Sequence, residues 1–215
     1  MCASYGLDPR YNDEEYRAAL EANMLEGLRA WSRENAGEVL LPTGKNRRNL
    51  NPIIRGSDRW ELGWWGYLVN GAPAGFASIN TRSERLASAR GALPERAIVP
   101  ASYWREMQKP SRIWQHFALP GDEMLGLAAV TRPGRTADGL EVTCFSIVME
   151  DARDRVREIH DRMPLLIPAG FAEEWLSSDA PAGELISAAA GASAGVASRI
   201  EVQPQRPQQQ NHTLF

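Results

Sequence analysis

The order of apolar segments along this 215-residue chain constrains its fold more than any other feature. Short runs rich in β-branched and aromatic residues fill the middle of the chain, and such runs are typical of β-strands. We predict strands at 39–41, 53–54, 64–69, 75–79, 97–99, 113–118, 125–130 and 142–149. The last of these is the clearest, because it is the longest apolar run of the set.

Helical patterns lie on either side of these strands. Residues 13–35 carry apolar side chains every three or four positions, and Asn12 with Glu15 forms a capping-box pattern at their start. We predict further helices at 151–159 and from Pro168 to about residue 176. The Ala- and Gly-rich segment 188–197 is compatible with a weak helix or a linker.

Strands in the middle and helices at both ends predict a single α+β domain, which we assign to residues 2–200. The Gln- and Pro-rich segment 201–215 has little to bury, so we expect it to be disordered. No apolar run approaches the length of a membrane-spanning helix, and the N-terminus lacks a signal-peptide pattern. We therefore expect a cytoplasmic monomer that does not contact a membrane.

The net charge of −3 argues weakly against a nucleic-acid partner, but the charge is unevenly distributed. Residues 1–44 carry four basic and eight acidic side chains, residues 45–112 carry twelve and five, and residues 113–215 carry eight and fourteen. A basic middle indicates either one positive face that attracts a polyanion or an ordinary solvated surface. Charge alone leaves both interpretations open.

Cys2 is the first candidate for chemistry. Removal of Met1 leaves an α-amine with a reference pKa of about 7.7–8.0 beside a thiol with one of about 8.5. An aldehyde that meets this pair forms an imine, and the thiol then closes a thiazolidine ring. A Cys at position 2 can also be a chance occurrence. With only Cys144 besides, the chain has too few cysteines for a disulfide framework or a Cys-based zinc site, and no metal or organic cofactor is indicated.

Three polar residues are further candidates, each with a structural alternative. His160, at the end of a predicted helix, can transfer protons near neutral pH or cap that helix. Glu106, just after a predicted strand and near aromatic rings, can have a raised pKa or form a surface pair with Arg105. Asn80, at the end of a predicted strand, can hold a reacting amine or carbonyl, or cap a turn.

Four short motifs occur in the order and at the approximate spacing of the SRAP family, whose name stands for SOS response-associated peptidase. They are Met1-Cys2, Asn80-x-Arg82-x-Glu84, Pro100-Ala101 followed by Glu106, and His160-Asp161-Arg162-Met163-Pro164. The last motif is the most specific. The sequence resembles that family over roughly residues 2–175.

The resemblance implies an α+β fold with a central, strongly bent, mainly antiparallel, barrel-like sheet flanked by helices. It also implies an enzyme that binds single-stranded DNA and forms a covalent thiazolidine bond with abasic sites, with associated lyase and self-processing peptidase activity. Carried over by position, Cys2 is the nucleophile after removal of Met1, and Asn80 positions its amine. Glu106 and His160 transfer protons.

In this interpretation, basic side chains follow the phosphates and aromatic rings stack on unpaired bases. The predicted DNA-binding residues are Lys45, Arg47, Arg48, Arg55, Arg59, Trp64, Trp65, Arg82 and Arg162, with Tyr67 and Trp104 as further stacking candidates. The competing interpretation is that at least half of the tryptophans belong to the core.

The chain also departs from the family pattern. Ala3 and Ser4 follow Cys2 where the family has Gly-Arg, and Met107 follows Glu106 where the family has Trp. Two other functions stay open at this point. One is an N-terminal-Cys peptidase or amidohydrolase without a DNA role, and the other is a non-catalytic module that binds single-stranded DNA.

Overall fold

The computed structural model of the protein describes residues 2, 4–35, 49–75, 78–108 and 112–203, with residue 203 described by its backbone alone. The strands of this part are β1 (Ser4–Gly6), β2 (Leu50–Ile54), β3 (Trp60–Trp65), β4 (Leu68–Val69), β5 (Ala72–Pro73), β6 (Asn80–Arg82), β7 (Arg96–Ala101), β8 (Tyr103–Gln108), β9 (Ile113–Ala118), β10 (Leu125–Arg135), β11 (Glu141–Asp151), β12 (Arg162–Pro164) and β13 (Glu201–Gln203). The α-helices are α1 (Ala22–Glu34), α2 (Ser83–Ala87), α3 (Asp154–Arg157), α4 (Ala172–Ser177) and α5 (Ala182–Ala197). Short 3-10 helices span Glu15–Ala18, Pro120–Asp122 and Ala169–Phe171.

Five strands close into a barrel in the order β10-β7-β2-β3-β11, and the pairing of β11 with β10 completes the ring. The contacts within the ring are antiparallel except for the short parallel contact between β11 and β3. β6 and β12 extend the sheet from β11, the first parallel and the second antiparallel. A second antiparallel sheet has the order β1-β8-β9-β13. The α+β fold with a bent, mainly antiparallel, barrel-like sheet is confirmed.

The barrel wall is covered on both faces where β7 and β10 run together. All six residues of β7 and residues 125–131 of β10 are buried, which requires other elements to pack on the outside. α4 covers β7, and the Trp175 indole N–H donates to the Ala97 carbonyl at 2.9 Å. α5 is held where the Ser193 hydroxyl donates to a Glu150 carboxylate oxygen at 2.5 Å and accepts from the Leu166 N–H at 3.1 Å.

The predicted strands at 53–54, 97–99, 113–118, 125–130 and 142–149 all lie within observed strands. The predicted strand 64–69 is interrupted at Gly66, whose φ of +89° turns the backbone between β3 and β4. Residues 78 and 79 lie outside the strands, so the prediction for 75–79 is wrong where the structure describes it. The predicted strand 39–41 lies outside the described residues.

The predicted helices differ more from the observed ones. The segment 13–35 is broken at Glu21, whose extended backbone separates the 3-10 turn from α1. The predicted helix 151–159 shortens to α3, because Asp151 still pairs with Arg162 as the last residue of β11. α5 begins at Ala182 and is longer than predicted, since a buried stripe that includes Leu185 and Ala189 anchors it.

The C-terminal segment that we expected to be disordered from residue 201 begins with a strand. β13 pairs with β9, with Val202 opposite Phe117, so the sheet continues to Gln203. Residues 204–215 lie outside the described part. None of the described helices is both long and apolar enough to cross a membrane.

We predict that Gly126→Ala destabilises the protein by about 1–3 kcal/mol, the usual cost of overpacking. A Cβ at this position of β10 would lie 2.8 Å from Ile98 Cγ2 and 2.9 Å from the Ile167 carbonyl oxygen, and it would also meet the Tyr16 hydroxyl. The matched control is Gly191→Ala on the exposed side of α5, where a Cβ meets nothing within 4 Å. That change should stabilise the helix by up to about 1 kcal/mol. Denaturant unfolding of both variants measures the difference, and equal effects would contradict this packing.

Candidate active site

A cavity of about 500 Å³ lies where the β6–β11–β12 edge of the barrel sheet meets the β8–β9 hairpin. Its walls come from segments that are far apart in sequence. The lining residues are Asn80, Thr81, Arg82, Glu106, Met107, Trp114, Met149, His160, Asp161 and Arg162. The fold therefore brings together three of the four predicted catalytic residues and two of the predicted DNA-binding arginines.

Asn80 connects this cavity to the start of the chain. It begins β6, rather than ending a strand as predicted, and pairs with Ile147 of β11. Its side-chain N–H donates to the Cys2 carbonyl at 2.8 Å. Its Oδ1 is buried and has no hydrogen-bond partner in the described part of the chain. The side chain thus holds the backbone of Cys2 and still has an acceptor available for an N–H.

Cys2 is fully buried, and its thiol lies 3.7 Å from the Ser4 carbonyl oxygen. Burial raises the pKa of this thiol far above its ordinary value, and the nearby charge of Glu106 adds to the rise. The thiol is therefore neutral at physiological pH in this arrangement. β1 begins two residues later and pairs with β8, with Ser4 opposite Arg105, which explains why Cys2 lies near Glu106.

Glu106 lies within β8, where the prediction had placed it after a strand, and only 2% of its surface is exposed. Burial raises the pKa of its carboxyl group to about 7, and the charge of Asp161 adds to the rise. A carboxyl group with this pKa exists in both protonation states near neutral pH. It can therefore donate a proton in one step and accept one in the next.

His160 follows α3 and precedes β12. Its Nε2 lies 3.9 Å from Glu106 Oε2, which is longer than a hydrogen bond. Its Nδ1 meets the Arg162 N–H at 3.0 Å, and the Arg162 carbonyl oxygen and Asp161 Oδ1 at 3.1 Å each. Because Nδ1 has both a donor and acceptors beside it, the ring can carry its proton on either nitrogen.

Two arginines lie at the mouth of the cavity. Arg162 forms ion pairs with Glu84 at 2.5 Å and Asp151 at 3.2 Å, and the hydrogen bond to Glu84 and the charges of both carboxylates raise the pKa of its guanidinium. Arg82 is exposed and forms no ion pair with any described residue. Arg82 is thus the more available of the two for an anionic ligand.

The other predicted DNA-binding residues do not line this cavity. Arg55 lies on the barrel, where it pairs with Glu95 and with Glu61 at 3.5 Å, so its charge is already compensated. Arg59 is exposed in the turn before β3. The predicted residues Lys45, Arg47 and Arg48 lie outside the described residues.

The predicted aromatic residues also lie elsewhere. Trp65 is fully buried against Tyr5 and Phe145, and its N–H donates to the Ile79 carbonyl at 2.9 Å. It offers no ring face to a base, contrary to the prediction, and the fully buried Trp104 offers none either. Trp64 is half-buried in a separate, larger cavity of about 790 Å³.

Met107, Trp114 and Asp161 were missed as cavity residues by the sequence reasoning. Asp161 is part of the His-Asp-Arg-Met-Pro motif, so a signal for it existed. Trp114 lies on β9 opposite Met107, and only the strand pairing brings it to the cavity. Among the described residues, no group of three or more His, Cys, Asp or Glu side chains is close enough to hold a metal ion.

The fold and the cavity define a mixed α+β protein in which a buried carboxyl group, Glu106, lies near the half-buried His160 beside the N-terminal segment. The model of the SOS response associated peptidase (SRAP) family matches residues 9–204, so the chain belongs to that family. The resemblance inferred from the motifs is thereby confirmed.

Three curated relatives are similar to the chain, and all carry the name abasic site processing protein. YobE of Bacillus subtilis is 28% identical over 143 residues, which are 60% of this chain and 65% of that protein. YoaM of Bacillus subtilis is 25% identical over 142 residues, or 60% and 63% of the two chains. YoqW of Bacillus phage SPbeta is 24% identical, with the same coverage as YoaM. The chain spans less than two thirds of the length of these relatives.

Solved structures share the fold at low sequence identity. One protein of Bordetella bronchiseptica has a TM-score of 0.62 and 17% identity, covering 95% of this chain and 100% of that one. A protein of Bacteroides thetaiotaomicron has a TM-score of 0.60 and 15% identity, covering 88% and 90%. At these identities the likeness shows the fold alone.

We predict that Glu106→Gln stabilises the protein above pH 7 and not at pH 5. The folded-state pKa of about 7 lies above the unfolded value of 4.5, so the native state binds more protons in between and wild-type stability falls as the pH rises. The variant lacks this titration. Its free energy of unfolding relative to wild type should increase by about 2–3 kcal/mol from pH 5 to pH 8. Denaturant unfolding at several pH values measures this, and a constant difference would contradict it.

Proposed function

We propose that the protein binds single-stranded DNA at abasic sites and becomes covalently attached to them through Cys2 after removal of Met1. The observation that carries the proposal is the arrangement around the cavity. Asn80 holds the Cys2 carbonyl, and the Glu106 carboxyl, with its pKa of about 7, lies near Cys2 and 3.9 Å from His160. Family membership and the names of the three relatives support the coarser part of this proposal, a role in the processing of abasic sites.

The α-amine of Cys2 is the first nucleophile in this proposal. It exists once the peptide bond between Met1 and Cys2 is hydrolysed. The thiol is neutral because of its burial, so the amine attacks the aldehyde carbon of the ring-opened abasic sugar before the thiol does. The acceptor oxygen of Asn80 is suited to orient the amine, since Oδ1 is buried and has no described partner.

Glu106 then acts as the acid. Attack by the amine gives a carbinolamine, and the protonated carboxyl group of Glu106 donates its proton to the hydroxyl group, which leaves as water. The product is a protonated imine and a Glu106 carboxylate. The sulfur adds to the carbon of this protonated imine, the thiol proton returns to Glu106, and the nitrogen keeps its own proton in the neutral thiazolidine amine. Net, aldehyde and aminothiol give a thiazolidine and one water.

His160 fits the associated lyase activity. The imine makes the C2′ hydrogen of the sugar acidic. When a base removes this hydrogen, the 3′ phosphate leaves and the strand is cut. The Nδ1 atom of His160 lies beside one hydrogen-bond donor and two acceptors, and Nε2 faces Glu106, so His160 can take up this proton and pass it on. The associated peptidase activity is hydrolysis of the peptide bond between Met1 and Cys2 by the protein itself. The name of the family supports this activity.

We predict that Cys2→Ala abolishes the heat-stable DNA adduct without changing the fold, because the variant has no thiol to close the ring. Wild-type and variant protein, each with Met1 removed as shown by intact mass, are incubated with single-stranded DNA carrying one abasic site and run on a denaturing gel. Cys2→Ser is the matched control. Both variants retain the α-amine and lack the thiol, so each should give an imine that borohydride traps but no heat-stable adduct. A heat-stable adduct with Cys2→Ala would rule out Cys2 as the attachment point.

We predict that Glu106→Ala and His160→Ala slow adduct formation or strand cleavage by about 10²–10⁴-fold without abolishing it, since positioned acids and bases contribute about this much. The wild-type rate of adduct formation should fall as the pH rises above 7, because Glu106 then loses the proton it donates. Glu106→Gln should remove that pH dependence. Single-turnover time courses at saturating DNA measure both effects, and wild-type rates in both alanine variants would assign the two residues purely structural roles.

A further inference from the structure

We propose that the outer face of the β8–β9 hairpin, centred on Trp114, is the surface that carries the single-stranded DNA next to the abasic site. The inference rests on the proposed function, because it names where the DNA of that site lies. We call this surface the hairpin face. It consists of the half-buried residues Tyr103, Arg105, Met107 and Trp114, and His116 on the same side of the sheet is buried.

Strand register places these side chains on one side of the sheet. Met107 is paired with Trp114, and Arg105 with His116, and directly opposed residues of an antiparallel pair point to the same side. Glu106 alternates with them and points to the other side, towards Cys2. Met107 and Trp114 also line the cavity of about 500 Å³. The hairpin face and the cavity therefore meet at these two residues.

Trp114 is the aromatic residue of the hairpin face whose ring is available for stacking with a nucleobase. Tyr103 and His116 already stack on each other, with ring centroids 5.1 Å apart, and the Arg105 guanidinium lies 5.0 Å above the Tyr103 ring. Trp114 is half-buried and has no ring partner in the described part of the chain. A sugar without a base entering the cavity would leave the neighbouring base beside this indole. Nucleobases stack on such rings with little dependence on sequence.

The charges around Trp114 complement a phosphate backbone. Arg82 at the cavity mouth, Arg105 on the hairpin face and Arg112 at the start of the hairpin's second strand form no ion pair with a described residue. The exposed Asp161 opposes these charges, and Glu84 and Asp151 compensate the charge of Arg162 at the same cavity. By contrast, the residues lining the larger cavity around Trp64 include Asp138 and no basic side chain among those described.

The test uses binding of the full chain to a short undamaged single-stranded oligonucleotide, measured by fluorescence anisotropy. Trp114→Ala should weaken binding by about tenfold or more, the effect expected for one stacked base, whereas Trp114→Phe should retain most of the affinity. Ile113→Ala is the matched control. It changes a 54% exposed neighbour that points to the opposite side of the same strand, so its affinity should equal that of wild type.

The arginines give a second readout. Replacing Arg82 and Arg112 together by Gln should reduce the steepness of the log–log salt dependence by about 0.7 for each phosphate that the variant no longer neutralises. An unchanged salt dependence together with wild-type affinity of Trp114→Ala would overturn the proposal. A larger decrease in affinity for Trp64→Ala than for Trp114→Ala would also overturn it, in favour of the larger cavity.

The adduct assay separates this inference from the proposed function. If wild-type protein forms the adduct and Trp114→Ala binds DNA normally, the hairpin face is wrong and the function stands. If Trp114→Ala weakens binding but wild type forms no adduct, the hairpin face stands and the covalent function is wrong. If wild-type protein does not bind single-stranded DNA, both are wrong.

Discussion

The antiparallel ladder between β10 and β11 is the interaction on which the rest of the structure depends. It runs from Ala129 opposite Ile147 to Arg135 opposite Glu141 and closes the barrel. The same β11 strand also pairs with β3, β6 and β12. One strand therefore fixes the positions of Asn80 and Arg162 against the barrel, and a slip of one residue in this ladder would turn both away from the cavity.

The second sheet brings the remaining groups to that edge. Pairing of β1 with β8 holds the start of the chain beside Glu106, and the Asn80 amide fixes the Cys2 carbonyl from the barrel side. The site is thus built across two sheets, and Cys2, Asn80 and Glu106 are buried between them. Burial is also what sets its chemistry, because it keeps the Cys2 thiol protonated and raises the pKa of Glu106 into the neutral range. The buried environment destabilises the charged form of Glu106 in the folded state. This lowers the free energy of unfolding, and the packing of the surrounding core offsets the loss.

Much of the sheet could be predicted from the sequence. Strand cores such as 113–118 and 142–149 bury apolar residues, and runs of such residues are visible in the sequence. The ends of strands could not be predicted. β10 and β11 extend beyond their apolar parts to Arg135 and Glu141, where exposed polar residues pair only because the opposite strand is present. The break in the first predicted helix could not be predicted either. The spacing from Tyr16 to Trp31 continues across the break at Glu21, since both pieces bury their apolar side chains.

The sequence by itself determined the family, the α+β class and the candidate residues Cys2, Asn80, Glu106 and His160, because motif order and residue type are local properties. Only the tertiary structure decided that these residues meet, that Trp65 is core, and that Trp114 reaches the cavity. Each of those facts depends on contacts between residues far apart in the chain. Burial and the pKa values that follow from it are properties of the packed environment, and no single segment of the sequence contains that environment.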